Sequence, residues 1–181
     1  ESIADTSKIL STYGNAFMLR TDSDKKLNEF KKYSDIPIIN GLSPSSHPTQ
    51  VLSDIFTIQE IKKKSISKLK LCWIGDANNN MMNSLIEACI KFSVSLNIAC
   101  PKSYQPNKML ISMIKKQKGK IKIFNKKEIA VKNSDVVMTD KIISLNDKVN
   151  KKKKLKSFKN FKVDTKTMNL AKKDAIFLHC L

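Results

Sequence analysis

Residues 68–92 read KLKLCWIGDANNNMMNSLIEACIKF, and their pattern decides the fold. Leu69, Leu71, Cys72, Trp73 and Ile74 make a short apolar run of the kind a buried strand requires. Gly75, Asp76 and Ala77 break it, and Asn78, Asn79 and Asn80 follow. Asparagine is poor inside a helix but good at its start, where the side-chain oxygen accepts an orphan backbone N–H. Met81, Met82, Leu85, Ile86, Cys89 and Ile90 then recur at helical spacing. The reading is strand, tight turn, helix N-terminus, which is where an open α/β sheet receives small anions. It is not a dinucleotide fingerprint, because GxGxxG is absent. A capped helix with no ligand is the commoner occurrence of this pattern, so alone it supports a fold more than a function.

Working outward, Ser2-Ile3-Ala4-Asp5 matches a capping box, opening a helix with Ile3, Ile9, Leu10 and Tyr13 on one face. Strands are expected over 16–20, ending on Arg20, and over 36–39, where Pro37 points to an edge or a strand start. A polar helix carrying Leu27 and Phe30 falls between them, and residues 40–46 read as a loop. Pro48 suits the first turn of a helix bearing Val51, Leu52, Ile55, Phe56 and Ile58. His47 and Gln50 stand three apart at its start, so both can face one ligand; taken alone, His47 is more simply a capping or surface histidine. Residues 61–68 form a polar break and the expected domain boundary, dividing the chain into 1–62 and 63–181. Beyond residue 92, strands over 94–100, 121–124, 135–140 and 175–181 alternate with helices over 106–118, 128–131, 148–159 and 165–171. The run from Lys151 to Lys154 reads as a solvated helix face rather than a polybasic site. Strands alternating with helices imply an α/β fold of parallel doubly wound sheets.

A chain of 181 residues can bury a real core. No apolar run approaches the length of a membrane span and no signal peptide is visible, so no membrane partner is expected. The chain opens on Glu1 and stops at Leu181 directly after an apolar strand-like run; both ends are expected to be cuts in a longer protein. The formal charge of +18 raises nucleic acid or an anionic surface as a partner. Yet Arg20 is the sole arginine among 34 basic residues, whereas phosphate and base readers use arginine forks as well. Lysine accompanied by many Asn and Ile residues fits an AT-biased genome, and nucleic acid is not the expected partner. Cys72, Cys89, Cys100 and Cys180 form no CxxC, and no His or Cys stands at zinc-ligand spacing, so no metal is expected. The first three sit among apolar residues as small core residues, which implies a reducing compartment.

Polar groups gather at strand ends: Arg20, His47 with Gln50, Asn79, Asp140 and Cys180. In parallel sheets these ends open on one side. One crevice would then hold an anion fork, a polar helix start, a carboxylate and a thiol, suiting a small molecule with both an acid and an amine. The strings ESIADTSKIL, HPTQVLSDIFTIQE, WIGDANNNMMNSL, PKSYQPN, DVVMTD followed four residues on by Ser144, and FLHCL run in that order through nearly the whole chain. By them the sequence resembles the ornithine carbamoyltransferases. HPTQ is shared with the aspartate carbamoyltransferases, and the cysteine of FLHCL separates the two.

The resemblance implies a two-domain carbamoyltransferase-like fold whose front domain is incomplete. Residues 1–62 would be the rear part of the carbamoyl-phosphate-binding domain, and 63–181 the ornithine-binding domain short of its C-terminal end. It implies transfer of the carbamoyl group of carbamoyl phosphate to the δ-amine of ornithine, giving citrulline and phosphate, with no cofactor. Arg20, His47 and Gln50 would bind carbamoyl phosphate, Arg20 and His47 polarising the carbonyl oxygen and holding phosphate. Asn79 would take the ornithine α-carboxylate, with Asp140 and Ser144 on its α-amine, Leu145 beside them and Leu42 lining the bound substrates. Cys180, with the Leu181 carbonyl, would position the carbamoyl nitrogen and the attacking amine. A homotrimer follows for the full-length protein, in the cytoplasm or, for a eukaryote, the mitochondrial matrix.

Departures from the family pattern are equally definite. The STRTR phosphate turn of such proteins lies before Glu1, and their proline, arginine and closing helix lie after Leu181. Ser144-Leu145-Asn146 stands where members carry Ser-Met-Gly, and Ile142 where they carry tryptophan. The piece alone is expected to be inactive. The competing readings are an inactive binding or regulatory relative and, on charge alone, a nucleic-acid-binding protein.

Overall fold

The computed structural model describes residues 2–143 and 150–179. Among the described residues the strands form two all-parallel sheets, one of two strands and one of five. The α/β fold with parallel sheets is therefore as the sequence pattern implies.

The front part runs α1 (Ile3–Ser11), β1 (Phe17–Arg20), α2 (Asp24–Tyr33) and β2 (Ile38–Leu42). The Ser2 hydroxyl caps α1, accepting from the Asp5 N–H at 3.1 Å and donating to its carboxylate at 2.6 Å. β1 and β2 pair in parallel from Phe17 opposite Ile38, and an irregularity after Leu19 sets Arg20 opposite Leu42. β2 lies further along than the expected 36–39. Pro37 has no N–H for the ladder, and its carbonyl instead accepts from Phe17 N at 3.0 Å. Asn40 and Leu42, read from sequence as loop, complete the pairing, with Gly41 skipped between them. Glycine is needed there: a Cβ on Gly41 would come within 2.9 Å of Met18 Cγ and 3.3 Å of the Leu19 carbonyl.

α3 (Pro48–Lys62) then crosses to the rear part and stops where Lys63 turns left-handed at φ 50°. Its Val51, Ile55 and Ile58 are buried in the rear core. The polar break that follows is not wholly polar in effect, because Ile66, in a 3₁₀ turn, is also buried there.

The rear part runs β3 (Lys70–Ile74), α4 (Asn80–Lys91), β4 (Ser95–Ala99), α5 (Lys108–Lys116), β5 (Ile121–Phe124), α6 (Lys127–Val131), β6 (Val136–Thr139), α7 (Lys151–Ser157), α8 (Thr165–Met168) and β7 (Ile176–His179). The strand order is β5-β4-β3-β6-β7. Successive residues of β3 alternate between two cores. Leu71 and Trp73 pack with α3, α4 and α5; Cys72 and Ile74 pack with Ala130, Val131 and Phe158 on the opposite face. That is why the run is apolar without alternation. The chain winds outward from β3 to β5 and returns to lay β6 against the other edge of β3. The order therefore reverses between β3 and β6, and in open α/β sheets the ligand crevice lies outside the strand ends at such a switch point.

One expectation is overturned. Lys151, Lys152 and Lys153 are exposed as a solvated face requires, but Lys154 is only 5% exposed. Its ammonium lies 2.7 Å from the equally buried Asp76 carboxylate and 5.5 Å from the Tyr104 ring centre. A cation inside a protein needs a partner, and this one has been drawn to the turn after β3.

Candidate functional site

The turn after β3 is built by its own polar atoms. Gly75 takes φ 149°, a conformation side chains disfavour, and the neighbouring Thr139 hydroxyl donates to the Ile74 carbonyl at 2.6 Å. Asp76 then serves several donors. Its carboxylate accepts from Asn78 N at 2.9 Å and pairs with Lys154, while its carbonyl accepts from Trp73 Nε1 at 3.1 Å and Asn79 Nδ2 at 3.3 Å. Asn79 is the N-cap of α4, its oxygen accepting from Met82 N at 2.8 Å. With the oxygen committed to the helix and one N–H to the Asp76 carbonyl, the amide keeps a second N–H to offer a ligand.

The other asparagines join the two halves. Asn80 Nδ2 donates to the Ser43 carbonyl at 3.0 Å, and Asn83 Nδ2 to the Ser45 carbonyl at 2.9 Å. The backbone N–H of His47 donates to Ser84 Oγ at 2.8 Å. The first turns of α4 thus grip the segment between β2 and α3, which carries Leu42 at one end and His47 at the other. Sequence reasoning took the asparagine run for caps, with Asn79 also a ligand, and missed this grip. The polar spacing of Asn80, Asn83 and Ser84 along one helix was the available signal.

These contacts enclose a cavity of about 400 Å³ lined by Arg20, Thr21, Asp22, Leu42, Ser43, Pro44, Asn79 and Asn80. Arg20, Leu42 and Asn79, drawn from β1, β2 and the start of α4, are therefore brought together. His47 does not line this cavity; half-buried, it occupies the N-cap position of α3 but makes no side-chain cap bond, so the capping explanation fails. Its ring Nδ1 lies 3.3 Å from Thr49 Oγ1. Burial first, and then the charge of Arg20, hold the imidazole below its ordinary pKa, with Asp140 opposing them. His47 therefore feels charges from both β1 and the end of β6.

A second, much smaller cavity is lined by Asp54, Trp73, Met81, Met138, Thr139, Asp140, Leu178 and His179. Asp140 follows β6 directly, at the switch point. Gln50 points to the same region, its Nε2 donating to Asp54 Oδ1 at 2.9 Å. Asp54 was not singled out in the sequence, where a carboxylate one helical turn after Gln50 resembles any surface acid. Burial raises its carboxyl above the usual range, the Gln50 bond opposes this, and the charge of Asp140 adds to it. β7 delivers His179 to this cavity; Cys180 and Leu181, like Ser144 and Leu145, lie outside the described residues. Among the described residues no cluster of His, Cys, Asp and Glu side chains could hold a metal ion.

An anion fork, a helix start with one amide N–H to spare, a histidine biased to neutrality and a carboxylate thus surround the ends of β1, β2, β3 and β6. Such a set can bind a small dianion together with an amino acid. Comparison with known proteins shows the family. Residues 1–60 match the model of the aspartate/ornithine carbamoyltransferase carbamoyl-P binding domain, and residues 67–181 that of the Asp/Orn binding domain. The chain is 42% identical over its whole length to an ornithine carbamoyltransferase of Caldicellulosiruptor saccharolyticus and 38% identical to one of Methanosarcina acetivorans. It covers 59% of each, so it spans about three-fifths of the length of these relatives. Among solved structures, the anabolic ornithine carbamoyltransferase of Campylobacter jejuni superposes with a TM-score of 0.92 at 38% identity, over all of this chain and 61% of that one. The Pyrococcus furiosus ornithine carbamoyltransferase gives 0.88 at 36% identity, over all of this chain and 58% of that one. The chain belongs to the aspartate/ornithine carbamoyltransferase family.

Proposed function

We propose that the protein containing this chain transfers the carbamoyl group of carbamoyl phosphate to the δ-amine of ornithine, releasing citrulline and phosphate, in arginine metabolism. The observation that carries this reading is the shared cavity of Arg20, Leu42 and Asn79, with His47 electrostatically linked to both Arg20 and Asp140. Arg20 and His47 take the carbonyl oxygen and the phosphate, and Gln50 takes the carbamoyl nitrogen. Asn79 offers its NH2 to the ornithine carboxylate, Asp140 and Ser144 hold its α-amine with Leu145 alongside, and Leu42 lines the space between. Cys180 and the Leu181 carbonyl orient the two reacting groups. Residues 1–62 serve the first substrate and 63–181 the second, joined by α3.

The chemistry asks little more of the protein. Ornithine attacks as the free amine, and a dry pocket favours that neutral form. Aligning two bound reactants supplies a large share of the acceleration, and donors aimed at the developing oxyanion supply much of the rest. No cofactor takes part. The full-length protein works as a homotrimer; its compartment is reducing and cytoplasm-like, which the buried free thiols of Cys72, Cys89 and Cys100 support. Among the described residues no helix is long and apolar enough to cross a membrane.

The test is expression of the complete reading frame and measurement of citrulline from carbamoyl phosphate with ornithine, aspartate serving as the alternative acceptor. Citrulline formed with ornithine alone is expected; carbamoyl-aspartate as the product would overturn the reading. Ser144-Leu145-Asn146 in place of Ser-Met-Gly favours a second reading, an inactive relative on the same scaffold. Substrate binding without citrulline formation would establish that one.

A further inference from the structure

We propose that Asp54 is a positioning residue, fixing the Gln50 amide so that its oxygen rather than its NH2 meets the carbamoyl group of the first substrate. The inference rests on the carbamoyl-transfer reading and deepens it at one subsite. Asp54 stands four residues after Gln50 on α3, so the two side chains share a face. Gln50 Nε2 donates to Asp54 Oδ1 at 2.9 Å. In this contact the NH2 end of the amide is the one that meets the carboxyl oxygen, which accepts. The amide oxygen is then the end left for a ligand.

The choice has a chemical consequence. A carbamoyl group presents an NH2, which an amide oxygen can accept from and an amide NH2 cannot. A flipped Gln50 would set two donors against each other and lose the bond. Asp54 is half-buried and lines the small cavity together with Asp140, close enough for the Asp140 charge to raise its carboxyl. The anchor therefore sits at the small cavity beside the end of β6, on the same helix face as the group it holds. It also separates carbamoyl phosphate from inorganic phosphate, which carries no NH2 for Gln50 to accept.

That difference supplies the test. In the complete protein, Asp54→Ala and Asp54→Asn are compared with Gln50→Ala and with the Asp54→Ala/Gln50→Ala pair. The KM for carbamoyl phosphate, competitive inhibition by inorganic phosphate and the melting temperature are read for each. Loss of one oriented hydrogen bond predicts about a tenfold higher KM for carbamoyl phosphate in Asp54→Ala. Phosphate inhibition stays unchanged, and Asp54→Ala costs nothing further once Gln50 is alanine. Parallel weakening of both ligands would mark a merely structural role and overturn the proposal, as would an unchanged KM or additive losses in the pair. Absence of citrulline from the unsubstituted protein would instead overturn the transfer reading itself, and this inference with it.

Discussion

The smallest unit with a functional consequence is the charge on one imidazole. His47 is held below its ordinary pKa by burial and then by Arg20, against the pull of Asp140. That bias favours the neutral ring, which keeps a lone pair that an imidazolium would lack. Because the folded state disfavours the proton, His47 contributes stability above its unfolded value, ~6.5, and that contribution is lost as pH falls through the lower folded value. Proton NMR of the histidine ring should give a midpoint below that reference, rising in Arg20→Gln and falling further in Asp140→Asn. A midpoint indifferent to both substitutions would mean that the ends of β1 and β6 do not share a cleft. Arg20, His47, Asn79 and Asp140 were legible in the sequence because each terminates a strand or opens a helix, and periodicity locates such ends. Asp54 and Asp76 were not, because a carboxylate shows its meaning only through the partner folded against it: Gln50 in one case, Lys154 in the other.

Among elements, the turn after β3 and helix α7 depend on one another. Lys154 reaches from α7 into the turn. Phe158, at the end of α7, packs tilted against Tyr104 with ring centres 4.7 Å apart, and the Tyr104 carbonyl accepts from Ala77 N at 3.0 Å. Removing the ammonium would strand a buried carboxylate. Lys154→Met should therefore destabilise the protein by about 3–5 kcal/mol. Asp76→Asn added to it keeps an acceptor for Asn78 N and should restore much of the loss. Denaturant unfolding of the two variants decides the matter, and equal stability of the single and double variants would show that the pair is not buried. Legibility at this scale followed the strength of the apolar pattern. β3, with four apolar residues in succession, was read to within a residue or two of its ends. β2 lies further along than expected because its last residues include a glycine, and only pairing with β1 shows that the strand continues past Gly41, which the register skips. α7 was recognised as a helix, but its buried lysine was counted with its solvated neighbours because composition cannot tell one lysine of a run from another.

At the scale of the molecule, the rear sheet divides its surroundings into two cores that share β3. Cys89 and Cys100 belong to the core beneath α3, α4 and α5, and Cys72 to the core beneath Phe158 and Phe161. Alternation along β3 makes the two cores inseparable: Trp73 fills one and Ile74 the other, on adjacent residues of a single strand. They should therefore open together, and the thiols can report it. Burial pushes all three up to about 12, which leaves a thiolate fraction of roughly 10⁻⁴ at pH 8 even before access is considered. An aromatic disulfide reagent at pH 8 should leave Cys72, Cys89 and Cys100 unlabelled in the native protein. In rising denaturant, mass spectrometry of the labelled peptides should give one common rate for all three. Earlier labelling of Cys72 would show that α6, α7 and α8 detach while the α3–α5 side remains closed. The turn carrying Asn79 would then lose its Lys154 anchor before the rest of the site, and the two ends of the cleft would fail at different denaturant concentrations.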